Sequence, residues 1–250
     1  MLPDMILSLI VTYRQRESHL RTLLSWWKRQ FSLGQLSECM IVLVEVDKSP
    51  STWIESEIQG LNVEYAYFPC AEVFHKTKAL NLGLSLSQGE FVAPFDVDLI
   101  PIGDTLRQHL QMAILAPQFL VTGYRVMLEE EAVNIEELDA VLEQTSIAPE
   151  DRPTALWKHL IRRERFGVVP FFNKTRLIEI GGWDEAFIGW GGEDQDLIER
   201  YLQDRRYLCR SPELVYLHLA HEMNRQWHEA SLVEKNRNYY YAKRQTCTNI

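Results

Sequence analysis

Asp96-Val97-Asp98 sets two carboxylates one residue apart at the end of Gly89 to Phe95, an apolar run that reads as a buried strand. Pro101 follows closely, so Leu99-Ile100-Pro101 reads as a strand exit rather than a helix start. Carboxylates at the carboxyl end of a central strand face the crevice in which open α/β sheets bind ligands. Two like charges there call for a cation. Oxygen donors of this kind suit Mg²⁺ or Mn²⁺, which then meets a substrate's phosphates. Asp-x-Asp is a common pattern, and two surface acids at a strand end is the plainer alternative.

Four further stretches could take part in the same chemistry. Arg14 and Arg16 follow the first strand. Alternate residues of an extended loop share a side, so both planar guanidiniums could grip one phosphate; two solvated arginines is the simpler reading. Lys76 and Lys78 open a helix after Phe74-His75. Positive charge there opposes the helix dipole, which a nearby anion would relieve. Asn81, polar among apolar neighbours, is expected to bond backbone.

Gly189-Trp190-Gly191-Gly192-Glu193-Asp194-Gln195-Asp196 gives a loop whose backbone can approach a ligand, with one indole able to stack on a sugar. Glu193 and Asp194 then begin a helix, whose dipole keeps such acids ionised. An ionised carboxylate beside an acceptor is a candidate general base; simple N-capping is the alternative. His218-Leu219-Ala220-His221 spaces two imidazoles so that they can meet one metal ion. No His-Glu-x-x-His occurs, which excludes that class of metalloprotease.

Alternating strands and helices must carry these groups. Strands are predicted at Met5–Val11, Met40–Val46, Val63–Phe68 and Phe91–Asp96. Helices are predicted after Glu17, where Leu20, Leu23, Leu24 and Trp27 share a face, at Thr52–Gln59, and at Lys76–Ser87 with Gly89 as its stop. This order means βαβ units and a mostly parallel sheet. Further on, the pattern predicts a helix at Asp104–Leu115 capped by Asp104, a strand at Phe119–Tyr124 and a basic helix around Trp157–Arg165. A strand-like run at Gly167–Phe172 and a short helix at Lys174–Ile180, stopped by Gly181-Gly182, come next. A helix at Asp194–Leu202, a strand at Leu214–His218 and a polar, aromatic-rich helical tail at His228–Arg244 complete the set.

The 250 residues are 46% apolar, with no linker-like tract or internal repeat, and fit one α/β domain. The net charge of −9 has one source. Nine of the 35 acids lie between Glu129 and Asp151 without a Lys or Arg, and the remaining 26 balance 26 bases. That balance argues against a duplex nucleic-acid binder. The acidic insert reads as a solvated flap, or as a lid facing an acceptor. Met5–Val11 is too short to span a membrane and lacks the flanks of a signal peptide. Four Cys without metal spacing suit a reducing cytoplasm.

Together these stretches resemble a GT-A glycosyltransferase. They are most similar to the β-1,4-galactosyltransferase family (glycosyltransferase family seven) and, more distantly, to the transferase domains of bacterial chondroitin-type polymerases. The resemblance rests on Val11-Thr12-Tyr13-Arg14-Gln15-Arg16-Glu17-Ser18-His19-Leu20, Phe74-His75-Lys76-Thr77-Lys78-Ala79-Leu80-Asn81-Leu82-Gly83, Asp96 to Pro101, Gly189 to Asp194 and His218 to His221, in the family's order.

The resemblance implies a Rossmann-like single domain at 1–250, with a mixed, mostly parallel central sheet flanked by helices. Residues 1–101 would form a nucleotide-binding half, 102–227 an acceptor and catalytic half holding insert 129–151, and 228–250 a helical tail. Thr12, Tyr13, Arg14 and Arg16 would line a uridine diphosphate pocket that Phe74 and Lys76 help to close. Asp96 and Val97 would touch the nucleotide. Asp98 would bind Mn²⁺ (or Mg²⁺), with His221 and His218 completing its shell. Trp190, Gly191 and Gly192 would shape the donor–acceptor junction, with Asp194 as base and Glu193 orienting the acceptor hydroxyl. The implied activity is inverting transfer of a hexose or N-acetylhexosamine from a UDP-sugar to a glycan or lipid-linked acceptor. The implied place is a bacterial cytoplasm, with peripheral contact at the inner membrane. Arg165-Phe166-Gly167-Val168 stands where relatives carry a Gly-Gly pair near the donor sugar, so the sugar itself is not carried over. A sugar-nucleotide pyrophosphorylase would need glycines in the loop after the first strand, which Thr12–Arg16 lacks. A non-catalytic or degenerate sugar-binding module of the same fold is the other alternative.

Overall fold

The computed structural model describes residues 5–136, 165, 167–222 and 229–247. Four parallel strands, β1 (Leu7–Tyr13), β2 (Cys39–Asp47), β3 (Val63–Pro69) and β4 (Phe91–Asp96), make up most of the central sheet. Strands β5 (Leu99–Pro101) and β6 (Phe119–Met127) follow in the chain, then the short β7 (Phe172–Asn173) and the long β8 (Tyr207–His218). The central sheet has the order β3-β2-β1-β4-β7, with β7 antiparallel to β4. Strand β1 is buried on both faces, as its unbroken apolar run requires. Leu7, Leu9, Val11 and Tyr13 enter one core with helix α1 (Glu17–Ser32). Helix α2 (Ile54–Ile58) lies between β2 and β3 in the chain, and α3 (Lys76–Leu86) between β3 and β4. Ile10 enters a second core with α3. On α1 the predicted face is the packed one: Leu20, Leu23, Leu24 and Trp27 are all buried.

The chain runs outward from β1 to β2 and β3, then crosses back to β4 on the other side of β1. The carboxyl ends of β1 and β4 therefore border the switch point at which such sheets bind ligands. Thr12 and Asp96 are register partners there.

The strands expected at Phe119–Tyr124 and Leu214–His218 form β6 and the end of β8, and with β5 they make a second sheet, β5-β8-β6, that the sequence pattern does not separate from the first. Leu99–Pro101 is a strand rather than an exit, because it pairs antiparallel with the end of β8. Strand β6 lies parallel on the other side of β8. Gly167–Phe172 yields only a Gly123–Val168 bridge and the start of β7. Helices α4 (Thr105–Leu115), α5 (Lys174–Glu179), α6 (Glu193–Tyr201) and α7 (Ala230–Cys247) complete the described elements.

Two local expectations change. Gly89 does not stop α3, whose C-terminal cap is Ser87. It is a close-approach glycine: a Cβ there would lie 2.7 Å from the β1 backbone at Leu7 and Ser8. Asp104 precedes α4 but makes no side-chain cap, its carboxylate being taken by Arg107 at 2.7–3.0 Å. The basic helix expected around 157–165 and the acidic insert beyond residue 136 fall almost wholly outside the described residues. The start of that insert is exposed at Glu129, Glu130 and Glu131 and is anchored by buried Ile135.

Polar burial ties the two sheets together. His109 on α4 is fully buried and stacks on Phe171 at 3.8 Å. Its Nε2–H donates to the Val121 carbonyl at 3.0 Å, and its Nδ1 accepts from Tyr216 Oη at 2.7 Å. Burial pushes this imidazole down from 6.5 to about 4. The folded state thus prefers neutral His109, so the stability it contributes is present above pH 6.5 and is lost as the pH falls toward 4. A shift of this size corresponds to about 3 kcal/mol. Urea titrations from about pH 7 to pH 4 should show that loss in the wild type and a flatter pH dependence in His109→Phe; parallel curves would refute it.

Candidate active site

The second sheet explains how distant candidate ligands meet. His218, at the end of β8, is the register partner of Leu99 on one side and of Met127 on the other, so Asp98 sits beside it. Leu219 N–H donates to the Asp98 carbonyl at 2.9 Å, and Leu128 N–H to the His218 carbonyl at 2.9 Å. Ala220 N–H reaches the Glu130 carbonyl at 2.7 Å, so the acidic insert starts directly beside this turn. His19 on α1 donates to the Ala220 carbonyl at 2.8 Å.

Asp98, His218 and His221 form the cluster that results, with one ligand atom from each within 4.8 Å of the others. The two carboxylate oxygens face one imidazole each: Oδ1 lies 3.7 Å from His218 Nε2 and Oδ2 3.3 Å from His221 Nε2. Arg16 pairs with Asp98 Oδ2 and lies 3.3 Å from His221 Nδ1, which is also 3.1 Å from the Glu222 carbonyl. Desolvation holds the His218 pKa below its ordinary value, so its neutral, lone-pair-bearing form is favoured.

These residues fit a divalent ion. Asp98 Oδ1 and His218 Nδ1 are buried without a hydrogen-bond partner. An orphaned carboxylate oxygen is costly, and a bound cation would satisfy it. One carboxylate and two imidazoles make a mixed oxygen–nitrogen donor set, which suits a transition ion better than all-oxygen Mg²⁺.

A second cluster lies alongside. Lys76 Nζ, at the start of α3, is 3.6 Å from Asp96 Oδ1, 3.6 Å from Glu193 Oε1 and 3.7 Å from Asp194 Oδ2. The charge that opposes the α3 dipole is therefore balanced by the protein's own carboxylates. Despite desolvation, Asp194, Asp96, Glu193 and Asp98 raise the Lys76 pKa, so it stays cationic. Lys76 in turn holds Asp96 below the ordinary carboxylate range.

The acid pair is split by environment. The Glu193 side chain is 3% exposed and that of Asp194 48%. Burial, with Asp194 close by, pushes Glu193 up to about 7, although it accepts the Gly191 N–H at 2.9 Å. Gly192 makes this turn possible. Its φ is +90°, and a Cβ would lie 2.9 Å from the Phe187 ring. The loop before it is held by α3: Asn81 bonds Trp183 N–H and C=O, and Thr77 Oγ1 donates to the Phe187 carbonyl at 3.0 Å. Asn81 thus bonds backbone, as its sequence setting implies.

The remaining predicted residues take varied places. Thr12 and Asp96 flank the β1–β4 crevice. Arg14 is buried and donates to the Glu72 carbonyl at 2.7 Å, so the two arginines go to different partners. Tyr13 and Val97 are buried in one core and Phe74 in the other. Trp190 is half exposed at the lip of the turn.

Residues 156–222 match a family model described as the N-terminal domain of galactosyltransferase. That span holds the Gly189–Asp194 turn and both histidines. Similar solved structures include S. aureus TarS, at 17% identity and a TM-score of 0.62 over 86% of this chain and 37% of that one. A TarS structure in complex with UDP-GlcNAc matches at 17% and 0.61, over 89% and 60%. The mannosyltransferase PcManGT from Pyrobaculum calidifontis, in complex with GDP-Man and Mn²⁺, matches at 15% and 0.56, over 89% and 59%. This chain spans 37–60% of the length of those three. The chain thus has the fold of these GT-A structures, and over residues 156–222 it is similar to the galactosyltransferase family model.

Proposed function

We propose that this chain is a metal-dependent, inverting transferase that moves a hexose or N-acetylhexosamine from a UDP-sugar to a sugar hydroxyl of a glycan or lipid-linked acceptor. The observation that carries this reading is the convergence on Lys76 of Asp96, Glu193 and Asp194, beside the Asp98–His218–His221 cluster. A candidate cation site and an acid pair share one crevice. The complexes of similar folds with UDP-GlcNAc and with GDP-Man and Mn²⁺ support a nucleotide-sugar donor and a divalent ion.

In this reading Asp194, the exposed member of the acid pair, takes the acceptor hydroxyl proton onto its carboxylate as the hydroxyl oxygen attacks the anomeric carbon. The bond to the diphosphate breaks on the opposite side, so a single displacement inverts the centre. Glu193 orients the hydroxyl from its buried position. Lys76 and Arg16 face the charge that develops on the departing diphosphate. Asp98, His218 and His221 would hold a divalent cation, which would supply further neutralisation there. Thr12 and Asp96 line the nucleotide side, while Tyr13, Phe74 and Val97 support it from the core and Arg14 fixes the adjoining loop. Trp190, Gly191 and Gly192 shape the sugar junction. The same reading keeps 1–101 as the nucleotide half and 102–227 as the acceptor half. It assigns the work to surface-glycan synthesis on the cytoplasmic side of a bacterial membrane. Among the described residues no helix is long and apolar enough to cross a membrane.

Thermal unfolding with UDP, Mn²⁺ or both tests the donor site. A ligand at about a hundred times its Kd stabilises by about 2.7 kcal/mol. The expected result is a rise in Tm with UDP and Mn²⁺ together that exceeds the sum of the separate rises. A simple sugar-binding module would ignore UDP.

A further inference from the structure

Helix α7 braces the catalytic turn. Asn236, 2% exposed, donates through Nδ2 to the carbonyls of Ile188 at 2.8 Å and Trp190 at 3.1 Å, and its Oδ1 accepts from Ile188 N–H at 3.4 Å. One turn on, Tyr240 Oη donates to Glu199 on α6 at 2.8 Å. Lys243 then bridges Asp184 at 2.6 Å and Asp196 at 2.7 Å. Residues 236, 240 and 243 share one helix face, so the loop before the turn and the helix after it are gripped by one rigid element. A Cβ on Gly192 would lie 3.3 Å from Tyr240 Cβ and 3.4 Å from the Asn236 carbonyl, which shows how closely α7 approaches the turn.

Resting on the function proposed above, we propose that Asn236 is a positioning residue that sets Trp190 and the Glu193–Asp194 turn against Lys76. Only a side-chain amide offers two donors and an acceptor at this size, matching two carbonyls and one N–H of the loop. A carboxylate of the same shape fills the space but sets negative oxygens against two carbonyls.

Asn236→Asp, with Asn236→Ala beside it, separates positioning from space-filling. The first readout is hydrogen exchange, which needs no turnover: both variants should speed exchange at residues 188–193 while leaving α3 as protected as in the wild type. The second is Mn²⁺-dependent UDP release from UDP-glucose, UDP-galactose, UDP-GlcNAc and UDP-GalNAc. Its kcat should fall by about tenfold to a hundredfold, with the Kd for UDP and Mn²⁺ within about twofold of wild type. Unchanged exchange at 188–193, or exchange raised equally throughout, overturns the proposal. So does wild-type kcat in Asn236→Asp. A wild type that releases UDP from none of the four donors counts against the parent function instead, and the exchange result then decides this proposal alone.

Discussion

On the proposed function, Asp194→Asn is expected to lower the rate of sugar transfer by about 10²- to 10⁴-fold, the span usual for loss of a general base. The substitution keeps the side chain's shape and removes its capacity to take a proton. Asp194 is the half-exposed member of the acid pair and lies 3.7 Å from Lys76. Glu193 is buried, accepts the Gly191 N–H and has its pKa pushed up to about 7. Glu193→Gln keeps that backbone bond and so costs less than Asp194→Asn. Steady-state kinetics on both variants, with UDP and Mn²⁺ binding as the control, checks the order. An active Asp194→Asn beside an inactive Glu193→Gln would exchange the two roles.

If Asp98 is a metal ligand as proposed, Asp98→Asn should weaken Mn²⁺ binding in the presence of UDP by about a hundredfold or more, since a ligating charge is lost. The same change also removes the partner of Arg16. His221→Ala is therefore the cleaner companion, because it deletes a proposed ligand and leaves the Arg16–Asp98 pair in place. Calorimetric titration of both variants with Mn²⁺ should show the same direction of change. Wild-type affinity in both would remove the cluster from metal binding.

Much of the fold was legible because it is local. The strands of the first sheet are short apolar runs, and α1 repeats Leu20, Leu23, Leu24 and Trp27 on one face. Asn81 announced its backbone bonds by being polar among apolar neighbours. Strand β5 was not legible: three residues ending in Pro carry no periodicity, and the partner that makes them a strand is the distant end of β8. That pairing is also what brings Asp98 to His218, so the candidate ligands were readable by type while their means of meeting was not. Gly89 looked like a helix stop because sequence shows a glycine but not the β1 backbone packed against it. Asn236 left no signal, since one Asn on a polar helix looks like any solvated residue until Ile188 and Trp190 are placed beside it.

The proposed function turns on metal-dependent activation of a nucleotide sugar at the Asp98 cluster. Its most direct test is UDP release from a panel of UDP-sugars, with Mn²⁺ or with EDTA, by wild type and Asp98→Asn. The expected result is release from one preferred donor that needs Mn²⁺ and is lost in the variant. Release that persists in EDTA and in Asp98→Asn would contradict it.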